Sequence, residues 1–101
     1  MTVSTERVCR VLIEGRVQGV GFRAWVKAQA QGRRLAGWVR NRSDGAVEAV
    51  FAGPQATVAE MIEACHGGPA LAKVSHVAAR DTTREAASVD PDGRFHVRPT
   101  E

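Results

Sequence analysis

The chain reads as an α+β sandwich, a sheet carrying two helices on one face. Three observations support this. Apolar residues alternate with period two in some segments and recur every three to four residues in others. These segments follow the order strand, helix, strand, strand, helix, strand. An Asp-Gly pair sits where two consecutive strands must reverse. At 101 residues there is room for one core, so residues 1–101 are read as a single domain.

Residues 1–6 lack the charged start and apolar block of a signal peptide and read as a frayed lead-in to a cytoplasmic protein. Residues 8–15 form the first strand: Cys9, Val11 and Ile13 share one face, and Val8, Arg10, Leu12 and Glu14 share the other. From Phe22 the period changes, with Phe22, Trp25, Val26 and Ala30 on one face of a helix. Gly32 reads as its C-cap, with Arg33 and Arg34 just past the negative end of the dipole.

Residues 35–41 and 46–52 form the second and third strands. The intervening Asn41-Arg42-Ser43-Asp44-Gly45 makes them an antiparallel hairpin, and Gly53-Pro54 ends the third strand. Thr57 and Glu60 have capping-box spacing at the head of a second helix, with an alternative start near Pro54. Val58, Met61, Ile62 and Cys65 follow at i, i+3, i+4 and i+7, and Gly67-Gly68-Pro69 stops the helix. Residues 74–80 read as the fourth strand, residues 82–92 as a polar loop, and Phe95 and Val97 as a short terminal strand. Right-handed crossovers place both helices on one face of an antiparallel sheet. This is the ferredoxin-like α/β sandwich, βαββαβ.

The run Gly15-Arg16-Val17-Gln18-Gly19-Val20-Gly21-Phe22-Arg23 joins the first strand to the first helix. A glycine-rich turn there aligns backbone N–H groups with the positive end of the helix dipole, and an arginine adds a planar fork for phosphate oxygens. Taken alone, the turn reads equally well as tight helix–sheet packing. It lacks the Gly-Lys-Ser/Thr ending of a Walker loop and the Gly-x-Gly-x-x-Gly spacing of a dinucleotide site. Asn41, taken alone, reads as a residue bonding the adjacent turn.

Charge and composition narrow the classes. The net charge of +3 suits an acidic small substrate and is weak for nucleic acid. Arg7, Arg10, Arg16, Arg23, Lys27, Arg33, Arg34, Arg40 and Arg42 all lie early in the chain, so that half is expected to be electropositive. No apolar run is long enough to span a bilayer. Cys9 and Cys65 read as reduced core thiols. They and His66, His76 and His96 have no metal-ligand spacing, so no metal or other cofactor is expected.

Together with Gly37-Trp38-Val39-Arg40-Asn41, the Asp44-Gly45 turn and Gly68-Pro69, the Gly15-to-Arg23 run resembles the acylphosphatase family over roughly residues 8–97. The resemblance implies a hydrolase of small acyl phosphates, and nothing in the sequence demands more than a monomer. Arg23 would bind the phosphate and Asn41 would orient the attacking water. Gln18, Gly19, Val20, Gly21 and Phe22 would supply main-chain N–H donors. Arg34 before Leu35 and the Trp25-Val26 pair depart from the family pattern, with consequences for packing or substrate preference. Such a sparse site is chemically sufficient. A carboxylate leaving group, whose conjugate acid has a pKa of about 4 to 5, departs without a general acid. A loose phosphoryl-transfer transition state needs mainly charge stabilisation and an aligned water.

Two other readings compete: an RNA-recognition module on the same topology, and a phosphate-binding module without turnover. The first lacks aromatic residues on the first strand and has only Phe51 on the third. Trp38 reads as cover for apolar surface and Trp25 as core.

Overall fold

A computed structural model describes residues 5–101. Strand β1 (Glu6–Arg16) leads through a turn into helix α1 (Phe22–Gly32), followed by β2 (Ala36–Asn41), β3 (Val47–Pro54), α2 (Gln55–Gly67), β4 (Lys73–Asp81) and β5 (Phe95–Val97). The sheet order is β4-β1-β3-β2-β5. The ferredoxin-like arrangement expected from the element order is present.

The sheet is mixed rather than wholly antiparallel. β1, β2, β3 and β4 pair antiparallel, but β5 lies parallel to β2, with Trp38 opposite His96. β5 returns after the long loop that follows β4, so no hairpin dictates its direction. Most of the expected fraying falls on residues 1–4, outside the described residues. Thr5 and Glu6 are held: the Gln55 N–H donates to Thr5 O at 2.9 Å, and Glu6 pairs with Arg84 at 2.7 Å.

Alternation along β1 divides the molecule into layers. Cys9, Val11 and Ile13 join Val39, Val47, Ala49 and Phe51 beneath the helices, which contribute Phe22, Val26, Ala30, Val58, Met61 and Cys65. Each fully buried Val, Ile, Phe or Met among these contributes about 1.5–3 kcal/mol. Phe95 of β5 stacks on Phe51 with ring centres 5.7 Å apart, tying the edge strand into the same core. On the far face Val8, Ala36, Trp38, Val50 and Ala52 are covered by Ala87 from the loop after β4.

Helix boundaries correct two expectations. Gly32 is the last residue of α1, not its cap. The cap is a Schellman motif in which Leu35 N–H donates to Ala30 O (2.9 Å) and Arg34 N–H to Gln31 O (3.0 Å). The left-handed residue of that motif is Arg34, with φ 58°. The buried position of Leu35 sets the register, and that puts the arginine where glycine is usual. The Thr57–Glu60 capping box does not form either. α2 begins at Gln55 after Pro54, with no side-chain cap, and Glu60 instead binds Arg33 at 2.9 Å.

Candidate active site

The turn after β1 is built on main-chain shape. Val17 is buried and anchors it, while Gly19 and Gly21 adopt φ 73° and 77°. A Cβ at either glycine would touch nothing within 4 Å, so the demand is for left-handed backbone rather than for space. Gly21 is the N-cap of α1, and its carbonyl accepts the Trp25 N–H at 3.0 Å. Among the described residues, the N–H groups of Gln18, Gly19, Val20, Gly21 and Phe22 appear in no turn, loop or side-chain hydrogen bond. They remain available at the positive end of the helix.

An open cleft of about 450 Å³ lies over this turn, lined by Val17, Gly19, Gly21, Phe22, Arg23, Ala24, Lys27, Asn41 and Val97. Arg23 and Asn41, 18 positions apart, therefore meet at one cleft with the glycine turn. Gln18 and Val20 do not line it. Val20 packs on the core, and Gln18 Nε2 donates to Arg42 O and Ala46 O, both at 2.9 Å. Those two bonds fasten the turn that precedes Arg23 to the β2–β3 hairpin that follows Asn41.

Asn41 ends β2, and its carbonyl accepts the Glu101 N–H at 3.1 Å. Its Oδ1 is buried and is the one buried side-chain nitrogen or oxygen among the described residues without a hydrogen-bond partner. The hairpin turn does not use it. Asp44 Oδ1 accepts the Ala46 N–H at 3.0 Å, and Arg42 N–H donates to Ala46 O at 2.8 Å. The bond from the Ala46 N–H, with a side-chain hydrogen bond from Arg42, holds the Asp44 carboxyl below its ordinary value.

The cleft lining contains cations and no carboxylate. Among the described residues Arg7 pairs with Asp81, Arg33 with Glu60, Arg84 with Glu6, Arg98 with Asp90, and Arg10, Arg40 and Arg42 with Glu48. Arg23 and Lys27 appear in no such pair. Lys27 was missed by sequence reasoning, although it lies one helical turn beyond Arg23 and so on the same face. The side chain of Gln18 was missed too, because its partners lie across the fold.

The other polar residues take structural roles. Trp38 is buried and donates from Nε1 to Ala87 O at 2.7 Å. Cys9 and Cys65 are free and buried, and burial pushes the Cys65 thiol up to about 12 and raises that of Cys9. Neither has the exposure or depressed pKa of a reactive thiol. No helix among the described residues is long and apolar enough to cross a membrane.

The chain is similar in sequence and fold to known proteins. The family profile described as Acylphosphatase matches residues 9–96. An acylphosphatase of Rhodopseudomonas palustris (strain BisB5) is 46% identical over 92 residues, covering 90% of this chain and 93% of its own. The structure of an acylphosphatase from Coxiella burnetii superposes with a TM-score of 0.82 at 35% identity, over 92% of this chain and 93% of that one. Acylphosphatase from Bacillus subtilis gives 0.80 at 37% identity, over 90% and 97%.

Proposed function

Since the chain belongs to the acylphosphatase family and is a hydrolase of acyl phosphates, we propose that Arg23 holds the phosphoryl group and Asn41 orients the water that attacks it. Main-chain N–H groups of Gln18, Gly19, Val20, Gly21 and Phe22 complete the cradle, and no metal ion takes part. The observation that carries this reading is the convergence of Arg23, Asn41 and the glycine turn on one cleft without a carboxylate.

The water oxygen bonds to phosphorus as the bond from phosphorus to the acyl oxygen breaks. The carboxylate leaves with the electron pair, and the water proton passes through a phosphoryl oxygen to solvent. Charge spread over the phosphoryl oxygens meets the guanidinium fork of Arg23 and the turn amides. An unmet buried acceptor costs about 1–3 kcal/mol. The free Oδ1 of Asn41 therefore favours a hydrogen-bond donor, and a water held there is the one assigned to the in-line attack.

The RNA-recognition reading finds less support. Stacking of RNA bases needs exposed aromatic rings on the sheet, but Phe51 lies in the helix-side core and Trp38 is 2% exposed. Large exposed apolar side chains among the described residues are Leu71 and Val97, and Val97 belongs to the cleft. That surface suits a monomer.

The test is the loss of ultraviolet absorbance as benzoyl phosphate is hydrolysed. Turnover should persist in EDTA, with inorganic phosphate as a competitive inhibitor. Turnover lost in EDTA and restored by a divalent cation would remove metal independence. No turnover under either condition would remove the catalytic assignment.

A further inference from the structure

Arginine supplies nearly all the positive charge of this chain, and Lys27 and Lys73 are its only lysines. The difference is chemical. A guanidinium stays protonated in a protein and is no nucleophile, whereas a lysine amine attacks an activated acyl carbon once it has lost its proton. The two amines sit in different surroundings. Lys73 is exposed at the start of β4. Lys27 lies half-buried on α1, one turn beyond Arg23, where it lines the cleft over the glycine turn.

Lys27 also borders a second cleft of about 440 Å³ between α1 and β5, which it shares with Gln31, Leu35, Arg94 and Phe95. Neither lining holds a carboxylate, so no acid clamps the amine from either side. Residues at i and i+4 of a helix hold their Cβ atoms about 5–6 Å apart, which puts the Lys27 side chain beside whatever Arg23 holds.

We propose that Lys27 is a self-acylation site, modified by the acyl phosphate bound in the cleft. The proposal rests on the placement of the phosphoryl group at Arg23, because the acyl carbon then lies just beyond the bridging oxygen, on the side open to Lys27. The neutral Nζ gives its lone pair to that carbon and an N–C bond forms. The bond from the carbon to the bridging oxygen breaks, inorganic phosphate leaves with the electron pair, and the amine proton passes to phosphate or solvent. The guanidinium and turn amides that steady the phosphoryl group in hydrolysis here steady phosphate as the leaving group. Hydrolysis opens the same anhydride on its phosphorus side, so the two reactions compete for one bound molecule. The second cleft leaves room for the transferred acyl group. The amide carries no charge, so Arg23 is left as the one cation of the cleft lining and phosphoryl groups bind more weakly.

Acetylation of Lys27 and Lys73 by acetyl phosphate, followed by peptide mass spectrometry, tests this. Exposure alone favours Lys73. Lys27 should nevertheless label about tenfold faster, because a bound donor is presented to it at high effective concentration. Its rate should saturate with acetyl phosphate and fall as inorganic phosphate is added, whereas that of Lys73 should do neither. N-Acetoxysuccinimide, an acetyl donor without a phosphoryl group, should show no preference for Lys27. In protein labelled at Lys27 and freed of acetyl phosphate, KM for benzoyl phosphate should be about two- to threefold higher, the scale of an exposed charge contact. Lys27→Arg should abolish that rise on pre-incubation, and Lys73→Arg should leave it. Equal labelling of the two lysines, a preference kept with N-acetoxysuccinimide, or labelling of Lys27 indifferent to inorganic phosphate overturns self-acylation, while continued hydrolysis of acetyl phosphate leaves the Arg23 site standing. An unchanged KM in labelled protein overturns the loss of affinity. No hydrolysis, with no templated labelling, overturns both.

Discussion

On the sheet face away from the helices, Arg10, Arg40 and Arg42 converge on the buried carboxylate of Glu48, whereas Arg23 and Lys27, in the cleft at the α1 end, meet no carboxylate. The guanidinium carbons of Arg40, Arg98 and Arg10 also lie 4.9, 4.9 and 5.8 Å from the Trp38 ring centre. The same residue type thus serves as structural filling on one face and lines the cleft without a carboxylate partner on the other. What separates the two is pairing, not charge count. Of the early cations in the chain, Arg7, Arg10, Arg33, Arg40 and Arg42 are paired, which leaves Arg16, Arg23, Lys27 and Arg34 to set the field.

The largest effect expected from this contrast is at Arg23. Arg23→Gln should lower kcat/KM for benzoyl phosphate about a thousandfold, the upper range for loss of one preorganised donor to developing charge. Thermal melting should not move, because no partner loses a bond. Arg23→Lys should recover little, since an ammonium cannot span two phosphoryl oxygens. A melting point that fell with activity in either variant would break the contrast, placing Arg23 among the structural arginines.

Asn41→Ala comes next, with kcat about a hundredfold lower. Inhibition by inorganic phosphate should be nearly unchanged, because Asn41 is assigned to the water rather than the phosphoryl group. Equal weakening of both would make it a binding residue.

Glu48→Gln probes the paired face and should reverse the pattern. Removing one partner of a buried ion cluster typically costs about 3–5 kcal/mol. Here about 2 kcal/mol is expected, since Arg10, Arg40 and Arg42 keep 26–37% side-chain exposure and recover hydration. Activity of the folded protein should survive. The pH dependence follows from the carboxyl itself. Burial raises it, but hydrogen bonds from Arg40 and Arg10 outweigh burial and hold it below the ordinary value. A carboxyl whose folded pKa lies below its unfolded value, near 4.5, stabilises the fold above that pH and loses its contribution as pH falls through the folded pKa. Acid melting curves of Glu48→Gln should therefore be flatter below about pH 4.5 than those of the wild type.

Local pattern was enough for most of the fold. Alternation at Cys9, Val11 and Ile13 marks which face of β1 is buried, the Asp-Gly pair marks the hairpin, and the period change at Phe22 marks the start of α1. Local pattern misled where a distant partner decided the outcome. Glu60 has capping-box spacing to Thr57, yet Arg33 of the α1 cap claims it. Gly32 looks like a cap, yet burial of Leu35 moves the left-handed residue to Arg34. Arg23 and Asn41 were legible as motif residues. Glu48 was not, because its burial depends on Arg10 of β1 converging on it with Arg40 and Arg42 of the β2–β3 hairpin, and short-range spacing carries no trace of the β1 partner.

Gln18 gives the smallest effect and the sharpest test of how the two halves of the cleft are held together. Its Nε2 donates to Arg42 O and Ala46 O, carbonyls that also accept from Gly45 and Arg42 within the hairpin. Gln18→Ala therefore leaves neither carbonyl bare, and about 1 kcal/mol of stability is expected to be lost. If the amide were only a staple, kcat would be indifferent. If it sets the distance from Arg23 to Asn41, kcat should fall about threefold, because small misplacements of a positioned water are felt in the rate. A double-mutant cycle decides between these. In an Asn41→Ala background there is no positioned water left to displace, so Gln18→Ala should lower stability as before and leave kcat where Asn41→Ala put it. An equal further loss of kcat in both backgrounds would show that Gln18 supports the glycine turn alone, and that the hairpin contributes Asn41 independently of it.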